Sequence, residues 1–150
     1  MNKLNVHPFN NKIETGLRVL TILNSTYPKS YDLQSMVYLD YLAVHSGDIN
    51  KSIKSLHPAV SNRKGELLIR REIIFSSLEL FIEKGLIDRL YSENGIEYKA
   101  SENSTTFIDS LSEQYSIELQ NRSNWINNFV KELSPESLQK QLSNFIKNEV

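Results

Sequence analysis

A chain of 150 residues with 39% hydrophobic content has room for one domain with a full core, and little for a second. Seventeen Lys and Arg against eighteen Asp and Glu leave a formal net charge of −1, without the basic surplus usual in a dedicated DNA-binding module. The absence of cysteine excludes disulfides, thiolate metal sites and a cysteine nucleophile.

No run approaches the length of a membrane span, and residues 1–11, a polar leader containing Pro8, lack the layout of a signal peptide. A cytoplasmic location is expected. Ile13, Leu17, Leu20, Ile22 and Leu23 predict a first helix over residues 11–25, broken by Asn24-Ser25-Thr26-Tyr27-Pro28. Ser30 is the expected N-cap of a second helix, with Asp32 in its first turn, where a negative charge suits the helix dipole. Leu33, Met36, Val37, Tyr41, Leu42 and Val44 carry that helix to about His45. Asp40 falls among these apolar residues and needs a partner, expected in Arg70, Arg71 or a backbone amine. Ser46-Gly47-Asp48 ends the helix, and a polar connection runs over residues 49–62.

The stretch over residues 62–100 is the clearest. Leu67, Ile74, Leu78, Phe81 and Ile82 recur at the spacing of one buried helix face, and Ile69, Ile73 and Leu80 form a second row, so cover is expected on both flanks. Gly85 can take the left-handed conformation that ends a helix. Residues 86–91 and 96–100 flank Ser92-Glu93-Asn94-Gly95, a hairpin signal. Helix, glycine, hairpin is the latter half of a winged helix-turn-helix domain. Ser101 then reads as the cap of another helix, with Glu102 in its first turn and Phe107, Ile108, Leu111 and Tyr115 on its apolar face. A further helix follows over residues 117–133, with a break near Gln114-Tyr115-Ser116. Ser134-Pro135-Glu136 signals a new start. The predicted fold is mainly α, with one β-hairpin wing and additional C-terminal helices. Residues 1–133 are the expected winged-helix-like domain with its leader and following helices, and 134–150 a C-terminal amphipathic helix.

His45, Asp48 and His57 are types that bind zinc, iron or manganese, but their spacing matches no strong metal motif. The serines sit in no nucleophile elbow and the five glycines never cluster into a phosphate loop, so no enzymatic activity and no cofactor are expected. Arg63, Lys64, Arg89 and Lys99 are the candidate DNA contacts, near Arg70 and Arg71. Glu66, Glu72, Asp88, Glu93 and Glu97 interrupt that basic set. Asp40, His45, Asp48, Arg70 and Arg71 are expected to form an architectural polar network between the second and third helices. Candidate partner-interface residues are Ile69, Ile73, Leu80 and Trp125, with Leu138, Leu142, Phe145 and Ile146 on the final helix.

Several stretches in order resemble the middle component of bacterial ABC-three-component systems, Lamassu-like antiphage defence cassettes. They are Tyr31-Asp32-Leu33, the run over residues 40–48, Leu56-His57-Pro58-Ala59, Arg63-Lys64-Gly65-Glu66, Arg70-Arg71-Glu72, Lys84-Gly85-Leu86-Ile87 and residues 95–100. Phe107, Leu111, Tyr115, Leu119, Arg122 and Trp125 extend the pattern, which spans roughly residues 13–130 and leaves out the ends, Ser134 onward included. The resemblance implies a non-enzymatic, winged-helix-like subunit that bridges or regulates an SMC-like ABC ATPase and an effector, often a nuclease. Non-specific DNA contact and a homodimer are compatible with it; a membrane partner is not expected. The alternative is a dimeric winged-helix DNA-binding transcriptional regulator.

Overall fold

The computed structural model describes residues 12–45, 55–56, 63–93, 95–111, 114–130, 137 and 140. Helix α1 spans Lys12–Ser25, α2 Leu33–Val44 and α3 Arg63–Glu83. Strands β1 (Ile87–Ser92) and β2 (Gly95–Ala100) form the hairpin, and α4 (Ser104–Asp109) and α5 (Gln114–Val130) follow. The architecture is mainly α and winged-helix-like.

Apolar spacing decides which faces turn inward. Val19, Leu20, Ile22 and Leu23 of α1 and Met36, Val37, Leu39 and Leu42 of α2 meet Ile74, Leu78 and Phe81 of α3 in one core. Ile87, Tyr98 and Ala100 of the hairpin close it on one side, and Ile108, Ile126 and Val130 of α4 and α5 on another. Each fully buried Leu or Ile contributes about 1.5–3 kcal/mol. The crossing of α1 and α3 is close because Gly16 has no side chain: a Cβ there would lie 2.2 Å from Cε1 of Phe81.

Helix α3 ends in a Schellman arrangement. Leu86 N–H donates to Phe81 O and Gly85 N–H to Ile82 O, both at 3.0 Å, while Gly85 takes φ +76°. The buried Leu86 packs into the same core as Phe81. The antiparallel ladder then runs from Ile87↔Ala100 to Ser92↔Gly95. Between α1 and α2, Tyr31 adds a third, one-residue strand: its N–H donates to Tyr98 O at 3.0 Å, and Tyr98 N–H to Tyr31 O at 2.8 Å. A short strand ahead of the second helix, paired with the wing, completes the winged-helix order.

This pairing relocates the cap of α2. With Tyr31 held in the sheet, the chain is still extended at residue 31, so Asp32 rather than Ser30 caps the helix, accepting from Ser35 N–H at 2.8 Å. Ser30 instead donates to Glu97 on β2 at 2.6 Å. Ser101 caps the turn that leads into α4, its Oγ accepting from Asn103 N–H at 3.2 Å and its carbonyl from Ser104 N–H at 3.1 Å. Its N–H pairs with Leu86 O and its Oγ donates to Gly85 O at 2.7 Å, tying it to the end of α3, and the helix starts three residues later. The break before α5 falls earlier than expected, and residues 114–116 are helical. Of the second apolar row of α3, Leu80 packs against the core and Ile73 is half-buried, but Ile69 is 73% exposed, so the expected cover does not reach the start of the helix. Apart from Ser137 and Lys140, both helical, the final helix lies outside the described residues.

Candidate functional site

Where α1, α2 and α3 meet, the apolar core gives way to a chain of ionic side chains. Asp40, in the middle of α2, has no exposed surface. Arg18 of α1 donates to it through Nε at 2.9 Å and Nη2 at 3.4 Å, and the same Nη2 reaches Thr15 Oγ1 at 3.2 Å. Arg70 of α3 donates through Nη1 to Oδ2 of the carboxylate, the oxygen that Arg18 Nη2 also reaches, and through Nη2 to Glu66, one turn back. Glu66 Oε2 lies 2.9 Å from Nε2 of His45, the C-cap of α2. The relay Arg18–Asp40–Arg70–Glu66–His45 therefore joins three helices through alternating donors and acceptors.

The electrostatics follow the geometry. Burial alone would push the Asp40 carboxyl up, but Arg18 and then Arg70 outweigh it and hold it down at about 2. Glu66 also falls below its ordinary value: burial raises it, and the contacts with His45 and Arg70 more than reverse that. An ionised Glu66 only accepts, which places a proton on His45 Nε2. The Glu66 oxygen near His45 is already shared with a guanidinium, a donor set suited to a salt bridge rather than to a metal ion.

Sequence reasoning placed Asp40 beside Arg70, and the two are paired. It missed Arg18. The signal was available: Thr15, Arg18 and Ile22 share the inward face of α1, so a cation there requires a buried anion. Arg71 is a correction. Successive helix residues point about 100° apart, so with Arg70 facing Asp40 its neighbour cannot. Arg71 is exposed and donates to Gln34. Asp48 and His57 lie outside the described residues.

The candidate DNA contacts are scattered. The side chains of Arg63 and Lys64 lie outside the described residues. Arg89 on β1 is ion-paired with Glu79 of α3, and Lys99 on β2 lies over the Tyr27 ring, 5.8 Å from its centre. Of the interface candidates, Ile69 is exposed and Ile73 half-buried, while Leu80 and Trp125 pack against the core. Leu138, Leu142, Phe145 and Ile146 lie outside the described residues. Tyr91 and Ile96, opposite each other near the wing tip, are also exposed. No helix among the described residues is long and apolar enough to cross a membrane.

No curated protein and no solved structure matches this chain. A family model does, over residues 8–150, so the pattern takes in the C-terminal segment that the sequence resemblance had left outside it. With nearly the whole length matched, the chain belongs to the family described as ABC-three component (ABC-3C) system Middle Component 2.

Proposed function

We propose that this chain is a non-enzymatic adaptor of an antiphage defence complex, bridging an SMC-like ABC ATPase and an effector, often a nuclease, through its winged-helix-like domain. Membership of a middle-component family supports work alongside other subunits. The observation that carries the reading is where the basic side chains go. In a DNA-reading winged helix, arginines and lysines of the third helix and the wing face outward to phosphates and base edges. Here Arg70 is committed to Asp40 and Glu66, Arg71 to Gln34, Arg89 to Glu79, and Lys99 lies over Tyr27. Among the described residues these cations are engaged by other side chains of the same domain, which favours protein contacts over the transcriptional regulator.

The test is purification of the tagged full chain from its native host at moderate salt, with bound proteins identified by mass spectrometry. Recovery of an ATPase with long coiled coils, with or without a nuclease, is the expected result. Recovery of a homodimer carrying DNA and no other protein would replace the adaptor by the regulator.

A further inference from the structure

The hairpin has an open outer edge. Tyr98 directs both its backbone N–H and its C=O to Tyr31, so its bonds run away from β1. Arg89, opposite Tyr98, therefore turns its own N–H and C=O away from β2. The alternation repeats every second residue, so Tyr91, opposite Ile96, presents its groups to the same side. Among the described residues nothing takes up these groups. The order across the sheet is Tyr31, β2, β1, with β1 outermost. Sheet edges are usually blunted by a proline, a bulge or a covering segment. β1 contains no proline, its register with β2 is regular, and Tyr91 stands on it 75% exposed.

We propose that this edge pairs with the same edge of a second copy, antiparallel about a two-fold axis through Leu90, joining the two sheets into one. The register follows from the strand itself. Residues opposed in a ladder both turn their backbone groups toward the seam or both away from it, so the axis passes through a residue. An axis at Asp88 or Arg89 would oppose like charges across the seam. One at Tyr91 or Ser92 would draw Glu93, a turn residue, into the ladder. The axis at Leu90 uses strand residues alone. Arg89 then exchanges backbone hydrogen bonds with Tyr91 of the second copy, and Tyr91 with its Arg89. Leu90 meets its own counterpart, and Asp88 meets the hydroxyl of Ser92. The charges are complementary, because the Arg89 guanidinium keeps Glu79 in its plane while the tyrosine ring lies across its face. A strand from a different subunit would find the same backbone groups, but nothing on β1 selects it, whereas Arg89-Leu90-Tyr91 is matched to itself. The pairing is independent of the adaptor reading, which holds for one copy or two.

The chain has no cysteine, so a single introduced thiol reports the register. Across the axis the two residues at position 90 lie about 4.5 Å apart at Cα, within disulfide reach, whereas the two at position 92 are about 14 Å apart. Mild oxidation of the full chain carrying Leu90→Cys is expected to give a disulfide-linked dimer on non-reducing gels, and Ser92→Cys little. Sedimentation of the parent chain over about 1–100 μM should show a dimer that grows with concentration. Tyr91→Pro removes the ring and an edge-facing N–H at a position where proline is tolerated. Because the axis doubles each loss, it should weaken the dimer about tenfold or more, with a melt within about 2 °C of the parent. A chain that stays monomeric over that range and does not crosslink through Leu90→Cys would overturn the proposal. So would a dimer undiminished by Tyr91→Pro, or Ser92→Cys crosslinking as readily as Leu90→Cys. A monomeric parent that loses a co-purifying subunit on Tyr91→Pro would give the edge to a foreign strand and equally overturn it.

Discussion

Replacing Asp40 by asparagine keeps the side-chain volume and one acceptor oxygen while removing the charge. The two guanidiniums it serves belong to Arg18 and Arg70, with side chains 1% and 7% exposed, and Arg70 retains Glu66. Arg18 retains Thr15 as a neighbour but loses its carboxylate. The drop of the Asp40 carboxyl from its ordinary 3.8 to about 2 corresponds to about 2–3 kcal/mol of preference for the ionised form. Deleting the charge outright costs more, about 3–5 kcal/mol, because it strands a buried cation. Against a domain stability of about 5–15 kcal/mol, this is a large fraction. At about 2–4 °C per kcal/mol for a chain of this size, Asp40→Asn should lower Tm by about 6–20 °C. Urea unfolding followed by circular dichroism measures the change directly. A double replacement, Arg18→Met with Asp40→Leu, should recover about 1–3 kcal/mol relative to the sum of the two single changes, since it removes the stranded charge with its partner. A cost below about 1 kcal/mol for Asp40→Asn, or strict additivity of the pair, would refute a structural role for the relay.

Acid should weaken the same link. The folded-state values of Asp40 and Glu66 lie below their ordinary ones, so their contribution is complete above the ordinary carboxylate range and is lost as pH falls towards about 2 for Asp40. Urea midpoints measured from pH 6 to 2 should drop less steeply in Asp40→Asn than in the parent. Gly16→Ala should destabilise by about 1–3 kcal/mol, because the new methyl meets Phe81, and Phe81→Leu should partly restore it; an unchanged melt would contradict the close crossing of α1 and α3. Gly85→Ala, at φ +76°, should cost about 1–2 kcal/mol with the hairpin intact by near-ultraviolet circular dichroism. Fluorescence anisotropy should find weak, sequence-blind DNA binding at most, little altered by Arg89→Ala or Lys99→Ala.

Much of the fold was legible in local spacing. The limits of α1, the long α3, the glycine stop and the wing follow from helical periodicity, the positive φ of Gly85 and the turn chemistry of Ser92-Glu93-Asn94-Gly95, all short-range properties. The displaced cap of α2 shows where such reasoning stops. Ser30 and Asp32 are both good caps, and pairing of Tyr31 with Tyr98, 67 residues away, selects Asp32. At Ser101 one hydroxyl accepts from Asn103 N–H and donates to Gly85 O, so the expected cap is also tied to the end of α3. In the relay, a buried acid in α2 demanded a cation, but the sequence alone could not choose between Arg70 and Arg71 or bring Arg18 across from α1.

The sequence by itself determined the helices, the wing and the need for a counter-charge to Asp40, because these depend on residues within a few turns of one another. Tertiary structure decided which arginines answer that charge, which of Ser30 and Asp32 caps α2, and that Ile69 faces outward. Those outcomes depend on the relative rotation of packed helices. Periodicity marks the faces of a helix, whereas which face meets a neighbour is fixed only when the whole core closes.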